Sequence, residues 1–411
     1  MSLASLSLAA LVIAMVVSCF STLNVGVLAL ALAWVVGVYI GGMKLDDVIA
    51  GFPVSLFLTL AGVTLLFTQA QLNGSLDRLA HHAVRICRGN AGLIPVMFFL
   101  LAAGIAALGP GNVSTAALLA PMAMAVAFRA GIPAFLMAIM VGNGAQAASL
   151  SPFAPTGIIV NGLMNRIGLP GHQWWTFWTC LVAHATVAFG GYLLFGGWRL
   201  FGKQYAGASG DAEAMDFSRA HVLTLLGIAG VLVAVLFFNA NIGMAAFAGA
   251  VILAAIRVAD HDQAIRKMPW ATIVMVCGMS VLVSLLEKTR GLDLFTAALA
   301  RVATPTTVTG AIALVTGVIS VYSSTSGVVL PAFLPTVPGL VMRLAGADPL
   351  AVATSMNIGA HLVDMSPLST TGALCLAAMP AGPDVRKTYN RLLAWGLSMS
   401  IVGALGCYLF L

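Results

Sequence analysis

Long apolar segments separated by short polar ones make up almost the whole chain. About 20 consecutive apolar residues are needed to cross a bilayer as a helix. Segments that suit a span, two of them interrupted, lie at 4–20, 22–42, 52–71, 132–168 and 172–198, and again at 219–238, 241–258, 269–287, 349–380 and 388–411. They are continuously apolar rather than alternating, which favours helices over the strands of a membrane barrel. The pattern predicts an all-α polytopic membrane protein.

Two further apolar regions, 91–128 and 304–342, carry a polar cluster near the centre. The clusters are GPGNVST, from Gly109 to Thr115, and SSTSG, from Ser323 to Gly327. The apolar segment on each side of either cluster is short for a full membrane span, so each region is predicted to be a re-entrant hairpin. Irregular backbone at membrane depth is tolerated only inside protein or beside a water-filled cavity. We therefore expect both tips to lie at a site near the middle of the membrane.

The two halves of the chain repeat each other. A shift of 215 residues places GAQAASLSPFAPTG (144–157) on GAHLVDMSPLSTTG (359–372), with six of fourteen positions identical. Both segments are predicted to be helices broken at the midplane. Each half then has five crossings and one hairpin. Because five is an odd number, the second half starts on the opposite side of the membrane and has the inverted orientation. The predicted parts are a first inverted repeat at 1–200, a cytoplasmic linker at 201–218 and a second inverted repeat at 219–411.

Two equivalent segments, 75–90 and 288–303, each follow the third span of their half and carry mixed charges. They are predicted to be amphipathic helices at opposite membrane surfaces. Such helices either anchor the protein at the interface or connect a moving part to a fixed part.

Composition agrees with a membrane location. Of 411 residues, 60% are hydrophobic and 8% charged, and the mean hydropathy is +1.02, whereas a soluble domain has about 25% charged residues. This excludes soluble enzymes, secreted disulfide-linked domains and proteins that bind nucleic acid. The six cysteines are far apart and most lie in apolar segments, so buried inert thiols are expected rather than a metal or redox site. No cofactor is expected, and the lipid bilayer is the first partner.

The distribution of basic residues predicts the orientation of the chain. Of the 19 Lys and Arg residues, 13 fall on the side reached after the first span, and six fall on the other side. An excess of Lys and Arg marks cytoplasmic loops. The sequence therefore predicts an inner-membrane protein with both termini in the periplasm. The 13 residues are Arg78, Arg85, Arg88, Arg129, Arg199, Lys203, Arg219, Arg257, Arg266, Lys267, Arg386, Lys387 and Arg391.

The two hairpin tips and the two helix breaks supply the candidate site. Interrupted helices in matching positions of inverted halves point to a transport site, because they free carbonyls for a cation and helix N-termini for an anion. Their polar side chains are neutral, so an anion would depend on helix ends, hydroxyl groups and a co-bound cation. Alternatively, such Ser and Thr residues only hold helices together. The side chains are Asn112, Ser114, Thr115, Asn143, Gln146, Ser151 and Thr156, and Ser323, Ser324, Thr325, Ser326, Asn357, Ser366, Thr370 and Thr371.

Asp364 is the one acid near a break, and His361 lies three residues before it on the same helical face. An ionisable residue inside a membrane is a candidate for function, so Asp364, with His361, is a candidate proton or cation carrier. The alternative interpretations are a structural pair with His361, or exposure of Asp364 in a water-filled vestibule. His184, alone in an apolar span, is expected to be a hydrogen-bonded core residue.

The sequence resembles the ion-transporter superfamily, which includes the divalent anion:sodium symporters, and within it the malonate-type dicarboxylate carriers. The resemblance rests on the tips GNVST and SSTSG and on the broken helices NGAQAASLSPFAPTG and NIGAHLVDMSPLSTTGALCLA. It implies two sodium sites, each formed by a hairpin tip and its neighbouring break, with the substrate carboxylates between the tips. It also implies a homodimer that moves a transport domain by an elevator motion.

Carried over to this sequence, the resemblance implies one cation site at Asn112, Ser114 and the backbone of Gly144. The other is at Thr325, Ser326 and the backbone of Gly359, and Ser114, Thr115, Thr325 and Ser326 also face the substrate. The candidate cation set further includes Asn143 and Ser324, and the candidate substrate set further includes Asn112, Pro152, Thr156, Pro367 and Thr371. The sequence departs from the family in three ways: the Ser-Asn-Thr tip of the symporters is only loosely kept as GNVST at 111–115, the second tip has no Asn, and Asp364 adds an acid to one break.

These observations favour a secondary active transporter of a small organic anion, a dicarboxylate of the malonate or succinate class, coupled to sodium or protons. Two alternatives remain open: a cation/proton antiporter that uses Asp364, and a permease subunit that works with a soluble binding protein. An enzyme is not expected, because it needs a nucleophile–base set or a metal cluster at the site, and only His361 and Asp364 come near one.

Overall fold

The computed structural model describes residues 2–21, 23–85, 87, 89–204, 217–379 and 383–411. Most of the predicted linker, 205–216, and Arg88 therefore lie outside the described residues. In the first half the helices are α1 (Leu3–Phe20), α2 (Val25–Trp34), α3 (Leu45–Ile49), α4 (Val54–Leu72), α5 (Ser75–Arg85), α6 (Leu93–Leu108), α7 (Gly111–Ala130), α8 (Ala134–Ala147), α9 (Pro155–Arg166) and α10 (Gln173–Leu194).

The second half also consists of helices joined by short connections. Its helices are α11 (Arg219–Phe238), α12 (Ile242–Ala255), α13 (His261–Lys267), α14 (Trp270–Lys288), α15 (Gly291–Ala300), α16 (Val308–Ser320), α17 (Leu330–Phe333), α18 (Val337–Arg343), α19 (Pro349–Leu362), α20 (Thr370–Ala377) and α21 (Pro383–Phe410). Short π-helical segments lie at Val35–Ile40 and Thr325–Val329, and 3-10 turns at Gly197–Leu200 and Leu334–Thr336.

Eight helices of the described chain are long and apolar enough to cross a membrane. They are Leu3–Phe20, Val54–Leu72, Gly111–Ala130, Gln173–Leu194, Arg219–Phe238, Trp270–Lys288, Thr325–Arg343 and Asp384–Phe410. Shorter apolar helices lie between them, α2 with its π-helical extension and α12 among them, where the sequence predicts full spans. The prediction of an all-α, multi-pass membrane protein is confirmed.

Both predicted hairpins are pairs of helices joined by a tight turn. In the first hairpin, α6 and α7 meet at Gly109, whose φ of 147° lies in a region that favours glycine. A Cβ atom there would lie 1.9 Å from the ring of Phe67 on α4, so the tip is packed directly on that helix. In the second hairpin, α16 ends at Ser320 and helical structure resumes at Thr325. Whether the hairpins re-enter the membrane stays a prediction.

The two SP…TG motifs coincide with the two helix breaks. The first break separates α8 from α9, and the second separates α19 from α20. A Cβ atom at Gly157 would lie 1.9 Å from the Ser151 carbonyl oxygen, and one at Gly372 would lie 2.1 Å from that of Ser366. Each glycine therefore lets the new helix begin directly against the backbone of the break, which explains why the motif occurs twice.

Corresponding helices of the two halves have corresponding neighbours. α2 packs on α14 as α4 packs on α12, and α6 packs on α8 as α16 packs on α19. The crossings are close, because a Cβ atom at Gly278 would lie 2.1 Å from the Gly26 carbonyl oxygen, and one at Gly62 would lie 2.3 Å from that of Gly243. The order and packing of helices thus follow the repeat, and its inversion across the membrane stays a prediction.

The two predicted surface segments are both short helices, α5 and α15. α15 packs on α1, α14 and α18, and its Gly291 lies against Ser7 of α1. α5 packs on α4, α6 and α11. Each segment therefore connects the helix at the third predicted span of its half, α4 or α14, to the following hairpin, as the sequence places it.

Candidate functional site

A cavity of about 430 Å³ lies where the second hairpin tip and the second helix break face α1, α2 and α14. Residues 322–326, Asp364 and 368–371 form one wall, together with Asn112 and Val113 of the first tip. The opposite wall is formed by Ser18, residues 23–25, Ala271, Thr272 and Met275. The hydroxyl groups of Ser18 and Ser323 are 2.9 Å apart, so one hydrogen bond joins the two walls.

Five helices begin at this cavity: α2, α7, α14, α20 and the helix that starts at Thr325, since residues of each first turn line it. A helix N-terminus carries a partial positive charge and amide groups without intrahelical partners. The side chains of Asn24 and Ser324 cap two of these ends, and no side chain caps the ends of α7, α14 or α20. The described lining contains no Lys or Arg, so its positive potential comes from helix ends.

A chain of hydrogen bonds crosses from the first tip to the second beside the cavity. The Asn112 amide donates to Gln146 Oε1 at 3.0 Å, and Gln146 Nε2 donates to Asp364 Oδ2 at 3.0 Å. The Thr325 hydroxyl donates to the other carboxylate oxygen, Oδ1, at 2.6 Å. Gln146 also lies 3.1 Å from the Thr371 hydroxyl. Side chains from both halves of the chain therefore meet at one carboxylate.

Asp364 is the single charged side chain among the described residues that line the cavity, and it is 7% exposed. Both of its oxygens accept hydrogen bonds, and its backbone oxygen accepts one from the Ser369 hydroxyl. His361 instead has its Nδ1 2.8 Å from the Asn357 carbonyl oxygen. The side-chain hydrogen bonds of Asp364 thus go to the second hairpin tip and to α8. The side chains of Asp364 and His361 do not bond to each other, so they do not form the structural pair of the alternative interpretation.

The structure brings part of the proposed substrate set together. Asn112, Thr325, Ser326 and Thr371 line the cavity, and Thr156 lies behind Asn112 with its hydroxyl 3.5 Å from Asn112 Oδ1. The lining does not include Ser114, Thr115, Pro152 or Pro367. Ser114 lies instead at a small crevice against α4, and Thr115 and Pro367 are buried.

The proposed cation set divides in a similar way. Ser324, Thr325, Ser326 and Asn112 line the cavity, and the Ser324 hydroxyl also accepts a hydrogen bond from the Gly327 amide at 3.2 Å. The Asn143 side chain bonds to the Ile139 carbonyl and to His184. Gly144 and Gly359 lie at close helix crossings, since a Cβ atom would be 2.4 Å from the Phe99 oxygen or 2.3 Å from the Ala313 oxygen.

Several residues of the site were not assigned a role from the sequence. Gln146 is among the polar side chains noted near the first break, but its contact with an acid 218 positions away has no local signal. Ser320 bonds to Thr325 from the end of α16. On the opposite wall, Asn24 donates to the Ala271 carbonyl at 2.8 Å and so joins the starts of α2 and α14. The sequence signals for that wall are the cap residue Asn24 and Pro269 before α14.

Replacing Gln146 with alanine is expected to weaken the binding of an anion in the cavity about tenfold or more. The change leaves the Asn112 amide and one oxygen of Asp364 without their partner, and a lost hydrogen bond to a buried charged group is worth about 1.5–3 kcal/mol. Isothermal titration of the purified protein measures the change. Gln173→Ala, at the start of α10 and outside the cavity, is the matched control; equal affinities for the two variants would contradict a role for Gln146.

Comparison with known families gives a match to the first part of the chain. Residues 1–149 match the family model described as dicarboxylate carrier protein MatC N-terminus. The matched part includes the first tip and all of α8, and it ends at the first helix break. None of the curated proteins compared with the chain matches it. The match confirms the resemblance to malonate-type dicarboxylate carriers, and it indicates a membrane transporter rather than an enzyme.

Proposed function

We propose that this chain is a secondary active transporter that moves small dicarboxylates of the malonate or succinate class, coupled to sodium or protons. The observation that carries the proposal is the convergence of five helix N-termini on a cavity whose described lining has one acid and no base. The match of residues 1–149 to a dicarboxylate carrier family supports the substrate class.

The charge balance of the cavity favours coupling to a cation. Each helix N-terminus acts as roughly +0.5 of an elementary charge, so five such ends together supply about +2.5. An ionised Asp364 reduces this to about +1.5, which falls short of a dianion. One proton or one sodium ion at Asp364 closes the gap. A dicarboxylate and a cation would therefore bind better together than either does alone, which is the requirement for symport.

The groups around Asp364 suit either cation. Its carboxylate accepts a hydrogen bond from the Thr325 hydroxyl, which is also 3.3 Å from the Ala360 carbonyl oxygen. Gln146, the other donor to the carboxylate, also bonds to the Thr371 hydroxyl. Carboxylate, hydroxyl and carbonyl oxygens are hard ligands of the kind that alkali and alkaline-earth cations prefer. The Thr325 hydroxyl can donate to the ionised carboxylate or accept a hydrogen bond from the protonated acid. These groups support the proposal that either sodium or a proton is the coupling ion.

The elevator motion is part of the proposal. The cavity lies between the two tips and the second break on one side and α1, α2 and α14 on the other, and the Ser18–Ser323 bond joins the two sides. A rigid displacement of the first group past the second would carry the bound anion across the membrane. The proposal also includes a homodimer in the inner membrane, with both termini in the periplasm, as the resemblance and the distribution of basic residues imply.

Alanine at Asn112 or Thr325 tests the assignment of the site. Each change removes a cavity-lining group that bonds to Gln146 or to Asp364, and each is expected to abolish dicarboxylate uptake while the protein stays folded. Uptake into proteoliposomes and thermal unfolding of the same preparations give the two readouts. Thr186→Ala is the control, because that hydroxyl only bonds within α10 at the protein surface. Unchanged uptake in both variants would overturn the site.

One observation favours a second candidate function. Asp364 is a buried acid in contact with both halves of the chain, and a cation/proton antiporter needs such a group. An antiporter exchanges its ions without an organic anion, so cation-driven proton flux in vesicles that lack dicarboxylate distinguishes it. Uptake by the purified protein alone likewise distinguishes a carrier from a permease subunit that requires a soluble binding protein.

A further inference from the structure

A second polar centre lies behind the cavity, where α8, α10 and α19 cross. It contains Asn143, His184, Asn357 and His361, which are 0–2% exposed. His184 on α10 and His361 on α19 belong to helices that pack on each other, and Trp175 Nε1 of α10 donates to the Thr354 hydroxyl of α19 at 3.1 Å. Asn357 lies one turn before His361 on the same face of α19. None of the four lines the transport cavity.

The hydrogen bonds fix the tautomer of each neutral imidazole. Asn143 Nδ2 donates to the Ile139 carbonyl at 2.8 Å, so Asn143 Oδ1 faces His184 Nδ1 at 2.9 Å as an acceptor. His361 Nδ1 lies 2.8 Å from the Asn357 carbonyl oxygen, another acceptor. Both Nδ1 atoms must therefore carry the hydrogen, which leaves both Nε2 atoms as acceptors.

Four buried atoms of this centre have no hydrogen-bond partner among the described residues. They are His184 Nε2, His361 Nε2, and Nδ2 and Oδ1 of Asn357. Two acceptor nitrogens cannot satisfy each other. Buried polar groups in native proteins are almost always hydrogen-bonded, to protein or to ordered water. The centre therefore requires a ligand that donates at least twice and also accepts.

We propose that this centre binds ordered water, with one molecule shared by His184 and His361. A single water that donates to both Nε2 atoms and accepts from Asn357 Nδ2 makes three hydrogen bonds, the usual number for buried water. A second water satisfies Asn357 Oδ1. A transition metal fits less well, because it offers no acceptor to Asn357 Nδ2, and no group of three metal-binding side chains occurs in the described part of the chain.

The shared water joins the two halves of the chain, since α10 belongs to the first half and α19 to the second. The joint lies directly behind the transport site: the Cys180 thiol is 3.6 Å from the Gln146 carbonyl oxygen, and the Asp364 amide donates to the His361 carbonyl at 3.0 Å. The inference depends on hydrogen-bond chemistry alone and holds whether or not the chain carries dicarboxylates.

Solid-state NMR of protein with ¹⁵N-labelled histidine in lipid bilayers tests the proposal directly. We expect both buried imidazoles to be protonated at Nδ1, and both Nε2 signals to receive magnetisation from water. His221 is the internal control, because protein groups occupy both of its nitrogens: the Ser218 amide at 3.0 Å and the Asn73 carbonyl at 2.9 Å. No transfer to His184 and His361, or transfer to only one of them, overturns the shared water.

A double-mutant cycle gives a second test with unlabelled protein. Replacing His184 or His361 with leucine should each lower the midpoint of thermal unfolding, and the double variant should lose less than the sum, because the water is shared. Every variant that lacks His184 also loses the hydrogen bond to Asn143, so this loss cancels when the four proteins of the cycle are compared. Additive effects, or single variants that unfold at higher temperature because an unpartnered acceptor has been removed, contradict the proposal. The NMR measurement on the unaltered chain decides the matter if a variant does not fold.

Discussion

Replacing Asp364 with asparagine is expected to make dicarboxylate binding independent of the coupling ion and to abolish uptake driven by its gradient. Asparagine has the shape of aspartate but the charge of its protonated form. A charge pair 4 Å apart is worth about 4 kcal/mol at an effective dielectric constant of about 20, so loss of the carboxylate weakens cation binding by about a thousandfold. The dianion still meets five helix N-termini, which are unaffected by the change.

The experiment compares binding and uptake in one preparation. Binding of malonate and succinate is titrated with and without sodium and at several pH values, and uptake is measured under each gradient. Asp348→Asn is the control, because this exposed residue caps the other end of α19 and asparagine can keep the cap. Uptake by the Asp364 variant that still follows the gradient would show that the coupling ion binds elsewhere.

Alanine at Gly359 is expected to destabilise the protein by about 3 kcal/mol and to lower transport activity with it. The new Cβ atom would lie 2.3 Å from the carbonyl oxygen and 2.6 Å from the Cα atom of Ala313. Both are backbone atoms of α16, so no side-chain rotation relieves the overlap. Forcing an extra methyl group into a well-packed interior costs about 1–3 kcal/mol, sometimes more. Because α16 leads to the second tip, its displacement also moves Thr325 away from Asp364.

Thermal unfolding in detergent at one fixed heating rate measures the effect. Gly190→Ala is the matched control, because that glycine lies within α10 with nothing within 4 Å of an added Cβ atom, and alanine is the better helix former there. Gly144→Ala should behave like Gly359→Ala, since its Cβ atom would lie 2.4 Å from the Phe99 carbonyl oxygen. Wild-type stability in both variants would contradict the close crossings.

Local patterns were sufficient to predict the helices and where they break. Apolar length predicts a long helix such as α4, and the Gly and Pro residues of GPGNVST and of the two SP…TG motifs mark the turns and breaks of the structure. The shorter α12 shows the limit of this reasoning, because the sequence predicts a span over 241–258 but the helix covers only Ile242–Ala255. Composition alone does not fix where such a segment turns.

Membership of a polar cluster did not predict which side chains face the cavity. Asn112 and Ser114 both belong to the first tip, but both are on α7, where two residues differ by about 200° around the helix axis. Asn112 therefore faces the cavity while Ser114 faces α4. In the second tip, residues 323–326 precede or begin the helix and all four line the cavity. The difference is one of helix phase, which requires the helix boundary to be known.

The contact that joins the two tips could not be found from local sequence. Gln146 lies at the end of α8, and Asp364 lies in the second break, 218 residues later. The repeat relates Gln146 to His361 and Asp364 to Ser149, so the pair is not a product of the repeated design. The role of α2 and α14 as the opposite wall likewise depends on how helices from different parts of the chain pack together.

Uptake of labelled malonate and succinate into proteoliposomes, with sodium and pH gradients imposed separately, tests the proposed function most directly. We expect saturable uptake that follows one of the two gradients and stops when that gradient is removed. This result would establish a coupled dicarboxylate carrier and identify its ion. No uptake of either anion under either gradient, in vesicles shown to contain folded protein, would contradict it.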